Sequence, residues 1–185
     1  GTLLSATQLN ATANVPGSFL YAPSTGTLLN AGAAQTLSVD FTPTNTNNYI
    51  TVTNKTAEIT VNKINLTAKA DNKTRSYGLV NPTLSATYTG FVNGEISSVL
   101  DTQPLISTNA TVISNAGNYP ITISGGVDNN YNFTYTPGTL AITKATLTAT
   151  ADDKSRLLAT PNPTLTIRYD GFVNSDEPTD LDVLP

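Results

Sequence analysis

The chain contains an internal repeat, and this repeat limits the folds that the chain can adopt. The stretch from Lys63 to Pro104 returns from Lys144 to Pro185 without insertion or deletion, at an offset of 81 residues. About half of the paired positions are identical, among them Leu66-Thr67-Ala68 and Leu147-Thr148-Ala149. Self-similarity at a fixed period is the signature of tandem repeats. The sequence therefore predicts a tandem array of domains rather than one large core.

The first part of the chain is related to the middle part. Asn30-Ala31-Gly32 and Asn47-Asn48-Tyr49 match Asn115-Ala116-Gly117 and Asn129-Asn130-Tyr131, and Gly1–Thr7 resembles the region that begins at Gly78. On this alignment we predict three units. Residues 1–63 form a repeat that lacks its first strand, residues 64–143 a complete repeat, and residues 144–185 the N-terminal half of a further repeat.

The incomplete units at the two ends have two explanations. In the first, which we favour, the sequence is a window cut from a longer chain, and the absence of methionine agrees with this. In the second, a strand from an adjacent chain completes an open unit and produces a filament. In both cases we expect an isolated 145–185 peptide to be disordered, because about forty residues with few large apolar side chains cannot offset their chain entropy.

Apolar residues alternate with polar ones along the chain, which is typical of half-buried β-strands. Leu37, Val39 and Phe41 show this period of two, as do Leu66, Ala68 and Ala70. Turn sequences every eight to twelve residues indicate a sandwich or a barrel. The strands on either side of each repeat boundary are separated by only a residue or two. We therefore predict an all-β fold of tandem antiparallel β-sandwich modules in an elongated array, with unit centres roughly 30 to 40 Å apart.

Composition excludes several kinds of partner and site. The net charge is -4 and the nine basic residues are scattered, so we expect no binding to nucleic acid. Without cysteine there is neither a disulfide framework nor thiolate metal ligation. No apolar run is long enough to span a membrane in this window. Charged residues are only 12% of the chain, which predicts a surface with few charges.

Several motifs occur in order along residues 64–143. They are Ser76-Tyr77-Gly78, Asn81-Pro82, the run Tyr88–Gly94, Asn118–Ile121 and Gly138–Leu140. In this order they resemble the MBG repeats of the Tyr-Gly type. The third unit departs from the pattern because Leu158-Ala159 replaces Tyr77-Gly78, so we expect that corner to be built differently. The first unit resembles a sister bacterial Ig-like repeat, on the basis of Pro16–Phe19 and Asn30–Gly32.

This resemblance implies Ig-like sandwiches that are exported and displayed on a bacterial cell surface. The function it implies is that of non-catalytic spacer repeats in a large secreted adhesin, which present a distal binding region or mediate adhesion. The partners would be neighbouring repeats of the same or an adjacent chain, and a host or environmental glycan or protein. Two alternatives stay open: a carbohydrate- or protein-binding module, and an accessory region of an extracellular enzyme.

The sequence contains few of the residues that catalytic sites use. Histidine is absent, which excludes a Ser/His/Asp system and imidazole metal ligands. The carboxylate pairs Asp152-Asp153 and Asp176-Glu177 are sequence neighbours, which on a strand point to opposite faces. We therefore predict that the chain is not an enzyme and has no cofactor.

Calcium is the one metal for which the sequence offers candidate ligands. Asp71, Asp152 and Asp153 lie at the ends of first strands, and calcium prefers oxygen ligands. Lys73 and Arg75 stand close by and would compete for the carboxylate of Asp71. We therefore treat the three aspartates as weak candidates and favour an exposed charged loop.

Four aromatic residues are candidates for a sugar-stacking platform. They are Tyr49, Tyr88, Phe91 and Tyr131. Each recurs at a matching place in another unit, as core aromatics of Ig-like sandwiches do. We therefore favour a role in the core for all four.

Overall fold

The computed structural model describes residues 1–183 and is almost entirely β. Within these residues the strands are β1 (Gly17–Ala22), β2 (Gly32–Pro43), β3 (Val52–Val61), β4 (Ile64–Ala70), β5 (Lys73–Ser76), β6 (Ala86–Thr89), β7 (Leu105–Thr108), β8 (Gly117–Ser124), β9 (Tyr131–Thr136), β10 (Gly138–Thr143), β11 (Thr148–Ala151) and β12 (Ile167–Asp170). Single 3₁₀ turns occur at Ser97–Val99 and Pro178–Asp180. The predicted all-β class is confirmed, while the elongated array stays a prediction.

Backbone contacts divide the chain into two compact units. The first contains Gly1–Ala68, Tyr88–Leu105 and Gly125–Thr134, and the second contains Lys69–Thr87, Ile106–Ser124 and the chain from Tyr135 onwards. This division runs through the middle repeat, so each unit combines parts of two repeats. The predicted domain boundaries at 63/64 and 143/144 stay a prediction.

The first unit contains the antiparallel sheet β1-β2-β3. Its register places Phe19 opposite Phe41 and Leu37 opposite Ala57, as the alternation of apolar residues requires. The pairing of β2 with β3 is interrupted by two register shifts. Leu37 packs with Leu4 and Leu9 from the N-terminal segment, and these three form a small buried core for the first repeat.

The first unit also holds most of the three-stranded sheet β6-β4-β9. Leu66 of β4 is completely buried and packs with Leu100 and Tyr131. Phe91 meets the Tyr131 ring edge-on, with 5.3 Å between the ring centroids. This arrangement is favourable for aromatic pairs. One aliphatic strand residue and an aromatic cluster thus form this core.

The second unit contains the four-stranded sheet β5-β10-β8-β7. β8 and β10 are antiparallel, but β5 and β10 are parallel, with Arg75 opposite Ile142. The sheet is therefore mixed, whereas the sequence predicted antiparallel pairing. A parallel pair needs a long crossover connection, and four other strands lie between β5 and β10 in the sequence. Seven described strands lie in residues 64–143, the number expected for a sandwich.

The third repeat contributes the antiparallel pair β11-β12 to the second unit. Within the described residues these two strands pair only with each other. Ala149 and Ala151 of β11 are exposed, although their counterparts Ala68 and Ala70 are completely buried. The sequence thus predicts the strand correctly, but burial requires partner strands.

None of the helical segments in residues 1–183 has the length and hydrophobicity that crossing a membrane requires.

Candidate functional site at the joints between repeats

The joint between the first and middle repeats is short and hydrogen-bonded. β3 ends at Val61 and β4 begins at Ile64. Lys63 Nζ donates to the backbone oxygen of Asp128 over 2.8 Å. The Ile64 amide donates to the backbone oxygen of Asn130 over 2.9 Å. Both bonds therefore connect the C-terminal end of the two-residue linker to one loop of the middle repeat.

The side chain of Asn130 binds back to the first repeat. Its Oδ1 accepts a hydrogen bond of 2.8 Å from the Ala31 amide, and its Nδ2 donates to Asn30 Oδ1 over 3.3 Å. The buried Asp128 holds the loop, since its Oδ1 accepts from the amides of Asn130 and Tyr131. Aspartate commonly stabilises turns in this way. The turn therefore positions the side-chain amide of Asn130, which joins the two repeats.

A crevice of about 360 Å³ lies at this first joint. Its lining includes Gly1, Ala31, Ile64, Val92 and Glu95. Its walls are partly polar and partly apolar, and they come from both repeats.

The joint between the middle and third repeats has an equivalent crevice of about 420 Å³. It is lined by Tyr77, Ala116, Ala145, Val173 and Asp176, among others. The last four occupy the repeat positions of Ala31, Ile64, Val92 and Glu95 at the first joint. The two joints therefore bring the same repeat positions together.

The second joint is longer than the sequence predicted. β10 ends at Thr143 and β11 begins only at Thr148. At the first joint the Ile64 amide is bound by Asn130, which extends β4 towards the boundary. Ala145 is the repeat position of Ile64, so β11 begins three repeat positions later than β4.

Both carboxylate oxygens of Asp71, a candidate calcium ligand, accept hydrogen bonds from hydroxyl groups. Its Oδ2 accepts a hydrogen bond of 2.6 Å from Ser85 Oγ, and its Oδ1 accepts one of 2.7 Å from Thr87 Oγ1. Lys73 Nζ donates to the same Ser85 hydroxyl over 2.7 Å. The bonds from Ser85 and Thr87 hold the pKa of the Asp71 carboxyl below its usual value, and the charge of Lys73 adds to this.

The third repeat shows the same pattern at Asp152. Its Oδ2 accepts a hydrogen bond of 2.5 Å from Thr166 Oγ1, while Asp153 is exposed. No group of three or more acidic, histidine or cysteine residues that could hold a metal occurs in residues 1–183. The arrangement connects the end of a strand to its neighbour, and calcium binding at these aspartates stays a hypothesis.

The other carboxylate pair, Asp176-Glu177, is divided between two roles. Asp176 lines the second crevice, whereas the Glu177 amide donates to Asp180 Oδ2 in a capping box. The Glu177 side chain also accepts a hydrogen bond from the Asp180 backbone in this capping box.

Three of the four candidate platform aromatics lie in the core, as the sequence indicated. Tyr131 is 3% exposed, and Tyr88 and Phe91 pack against it. Tyr49 differs, because half of its surface is exposed. Burial raises the pKa of Tyr131, and its hydrogen bond to Glu95 Oε2 raises it further. Tyr88, Phe91 and Tyr131 thus belong to the core of the middle repeat rather than to an exposed platform.

Sequence reasoning missed the role of Arg75. We expected its guanidinium to compete for Asp71, but it is buried and donates from Nε to Asn81 Oδ1 over 2.8 Å. Its Nη2 donates to the backbone oxygen of Thr111 over 2.5 Å. The recurrence of the arginine and asparagine at 156 and 162 was the signal that could have revealed the pair. A buried charge needs such bonds to offset its desolvation.

The comparisons with known proteins agree with this architecture. The family model described as "MBG domain (YGX type)" matches residues 66–141 and 147–184. No curated protein and no solved structure matches the chain. The two matched stretches coincide with the middle repeat and the third repeat, and together they cover more than half of the sequence. The chain therefore belongs to the MBG domain family of the YGX type.

Proposed function

We propose that the chain is a non-catalytic spacer region of a large secreted bacterial surface adhesin. In this role each repeat is a folded unit, and the joints determine how far a distal binding region stands from the cell. Membership of a family of repeat modules supports the proposal. The low proportion of charged residues, 12%, agrees with a surface that separates other domains rather than binding a charged partner.

The observation that carries the proposal is the first joint. A linker of two residues cannot act as a flexible coil when it is bound to a loop of one repeat and that loop is bound to the other repeat. Lys63 and Ile64 are bound to the loop of Asp128 and Asn130, and Asn130 is bound to Ala31. Such a joint transmits extension from one repeat to the next, as in other nearest-neighbour arrays.

Distance measurements between spin labels test the stiffness of this joint. The chain has no cysteine, so Thr42→Cys and Thr134→Cys provide two specific labelling sites on exposed positions of the first and middle repeats. We expect a narrow distribution of distances between the labels. Inserting Gly-Ser after Asn62 is the matched control and should broaden the distribution. An equally broad distribution in the parent protein would contradict the spacer proposal.

Two further measurements separate the spacer from its alternatives. Surface proteolysis of intact cells should release the chain if it is displayed outside the cell. Screening against immobilised glycans should give no specific binding to residues 1–185. A saturable glycan ligand would instead identify a carbohydrate-binding module.

A further inference from the structure

We propose that the Tyr-Gly pair of one repeat is a docking element for the Gly-Phe-Val-Asn loop of the next repeat. In this chain the pair is Tyr77-Gly78 and the loop is Gly171–Asn174. The motif would then join repeats rather than stabilise the repeat that carries it. The inference rests on the proposed spacer function and identifies the surfaces that form its joints.

Tyr77 is anchored in its own repeat and reaches the next one. Its amide donates to the backbone oxygen of Thr143, at the end of β10, over 2.8 Å. Its hydroxyl donates to Asp176 Oδ1 over 3.4 Å, and the residue lines the second crevice with Phe172 and Val173. The half-buried ring thus packs at the joint and not in the core of the middle repeat.

The close approach of Val173 requires a glycine at residue 78. A Cβ at this position would lie 2.6 Å from both Cβ and Cγ2 of Val173, and the three nearest atoms all belong to that residue. Separations under 3.0 Å essentially never occur for real Cβ atoms. Any side chain at residue 78 would therefore push the loop of the next repeat away.

The third repeat shows that the turn itself does not need glycine. Ala159 occupies the position of Gly78 and has φ of 67°, compared with 83° for Gly78. Both turns are closed by the same bond, from Leu79 to Ser76 and from Thr160 to Leu157. The corner that we expected to differ is therefore built alike, since alanine can adopt positive φ at a modest cost. Leu158, in place of Tyr77, is 97% exposed.

The equivalent loop of the middle repeat lies next to the first repeat at the first joint. The side chain of Asn93, which is the counterpart of Asn174, lies next to Gly1. Asn174 itself donates from Nδ2 to the backbone oxygen of Val112 over 3.3 Å. The loop that contains Asn93 in the middle repeat and Asn174 in the third repeat therefore contacts the preceding repeat at both joints.

Amide hydrogen exchange on the full chain tests the docking. The double variant Y77L/G78A gives the middle repeat the pair that the third repeat carries. We expect the amides of residues 171–176 to exchange roughly tenfold faster, because their packing partner is lost. The amides of β8 and β10 should keep their protection, which shows that the middle repeat is still folded. Unchanged exchange at residues 171–176 would overturn the proposal.

Two controls isolate the contact from the backbone effect. Gly125→Ala also places alanine at positive φ in the middle repeat, but no atom lies within 4 Å of the added Cβ. It should leave residues 171–176 unaffected. The swap L158Y/A159G should leave them unaffected as well, since it does not touch the second joint. Acceleration by either control as large as that from Y77L/G78A would overturn the role of the contact.

A double-mutant cycle tests the partner residue. Val173→Gly removes the atoms that a Cβ at residue 78 would meet, so Gly78→Ala should cost less protection in that background than alone. Additive effects would contradict a direct contact. A glycan ligand or a broad distance distribution at the first joint would refute the spacer function, but neither would alter these exchange results.

Discussion

The side chain of Asn81 connects the buried Arg75 to a distant loop. Its Oδ1 accepts a hydrogen bond of 2.8 Å from Arg75 Nε, and its Nδ2 donates to the backbone oxygen of Ala110 over 2.6 Å. Arg75 also binds the backbone oxygens of Ser76 and Thr111. Arg75 is only 6% exposed, and the acceptors of its guanidinium hydrogen bonds are neutral oxygens. This interaction belongs to a motif that is present twice in the sequence.

The Asn81→Ala variant should destabilise the middle repeat by about 3 kcal/mol, since it leaves a buried charged donor and a buried backbone oxygen unpaired. Urea denaturation of the full chain, followed by circular dichroism, measures the loss. Asn162→Ala is the matched control, because its neighbour Arg156 is exposed. We expect it to change stability by less than about 0.5 kcal/mol. Equal effects of the two variants would contradict the role of the buried pair.

The Asn130→Ala variant should loosen the first joint without unfolding either repeat. The Ala31 amide loses its acceptor, and a typical hydrogen bond contributes about 1 kcal/mol. We expect faster exchange of the Ala31 amide and a broader distance distribution between labels at Thr42 and Thr134. Asn129→Ala is the control, since Asn129 is exposed at the preceding position. A joint that is equally stiff in both variants would show that the Asn130 side chain does not hold it.

Stability should depend on the ionisation of Asp71. Its pKa is lowered in the folded state by the hydrogen bonds from Ser85 and Thr87. A carboxyl with a depressed folded pKa stabilises the protein above its unfolded pKa, about 3.9, and this contribution disappears as the pH falls through the folded value. We expect Asp71→Asn to be less stable than the parent at neutral pH and to lose less stability on acidification. Carbon-13 NMR titration of the carboxyl measures the pKa directly, and a value at or above the usual one would contradict the assignment.

Calcium should leave the aspartate loops unchanged. Both carboxylate oxygens of Asp71 accept hydroxyl donors, and Lys73 lies at the same hydroxyl. NMR signals of Asp71, Asp152 and Asp153 should therefore not shift when millimolar calcium replaces EDTA, the range in which weak extracellular sites bind. Saturable shifts that disappear in Asp152→Asn and Asp153→Asn would establish a calcium site in the third repeat.

A peptide of residues 145–185 should be disordered in solution. β11 and β12 bury little, and Ala149 and Ala151 are exposed within the chain itself. A two-stranded pair is marginal in water without further packing. Circular dichroism should show no cooperative melting for this peptide, whereas residues 64–143 should melt cooperatively with a β spectrum. A sharp transition of the monomeric peptide would show that it is a complete domain.

The sequence alone determined the strands, because alternation is a local property. Leu66, Ala68 and Ala70 predict a strand, and the same pattern at residues 147–151 predicts another. The structure has β4 and β11 at these places. The short first joint could also be read from the sequence, since few residues separate Val61 from Leu66.

Only the tertiary structure decided which of these strands are buried and which motifs meet. Identical residues are buried in β4 and exposed in β11, and Arg75 is buried whereas Arg156 is not. Burial depends on strands that lie far away in the sequence, as the parallel pairing of β5 with β10 does. The contact of Gly78 with Val173 likewise joins residues from different repeats. Local patterns carry no information about such partners, because a period of two specifies a face but not what covers it.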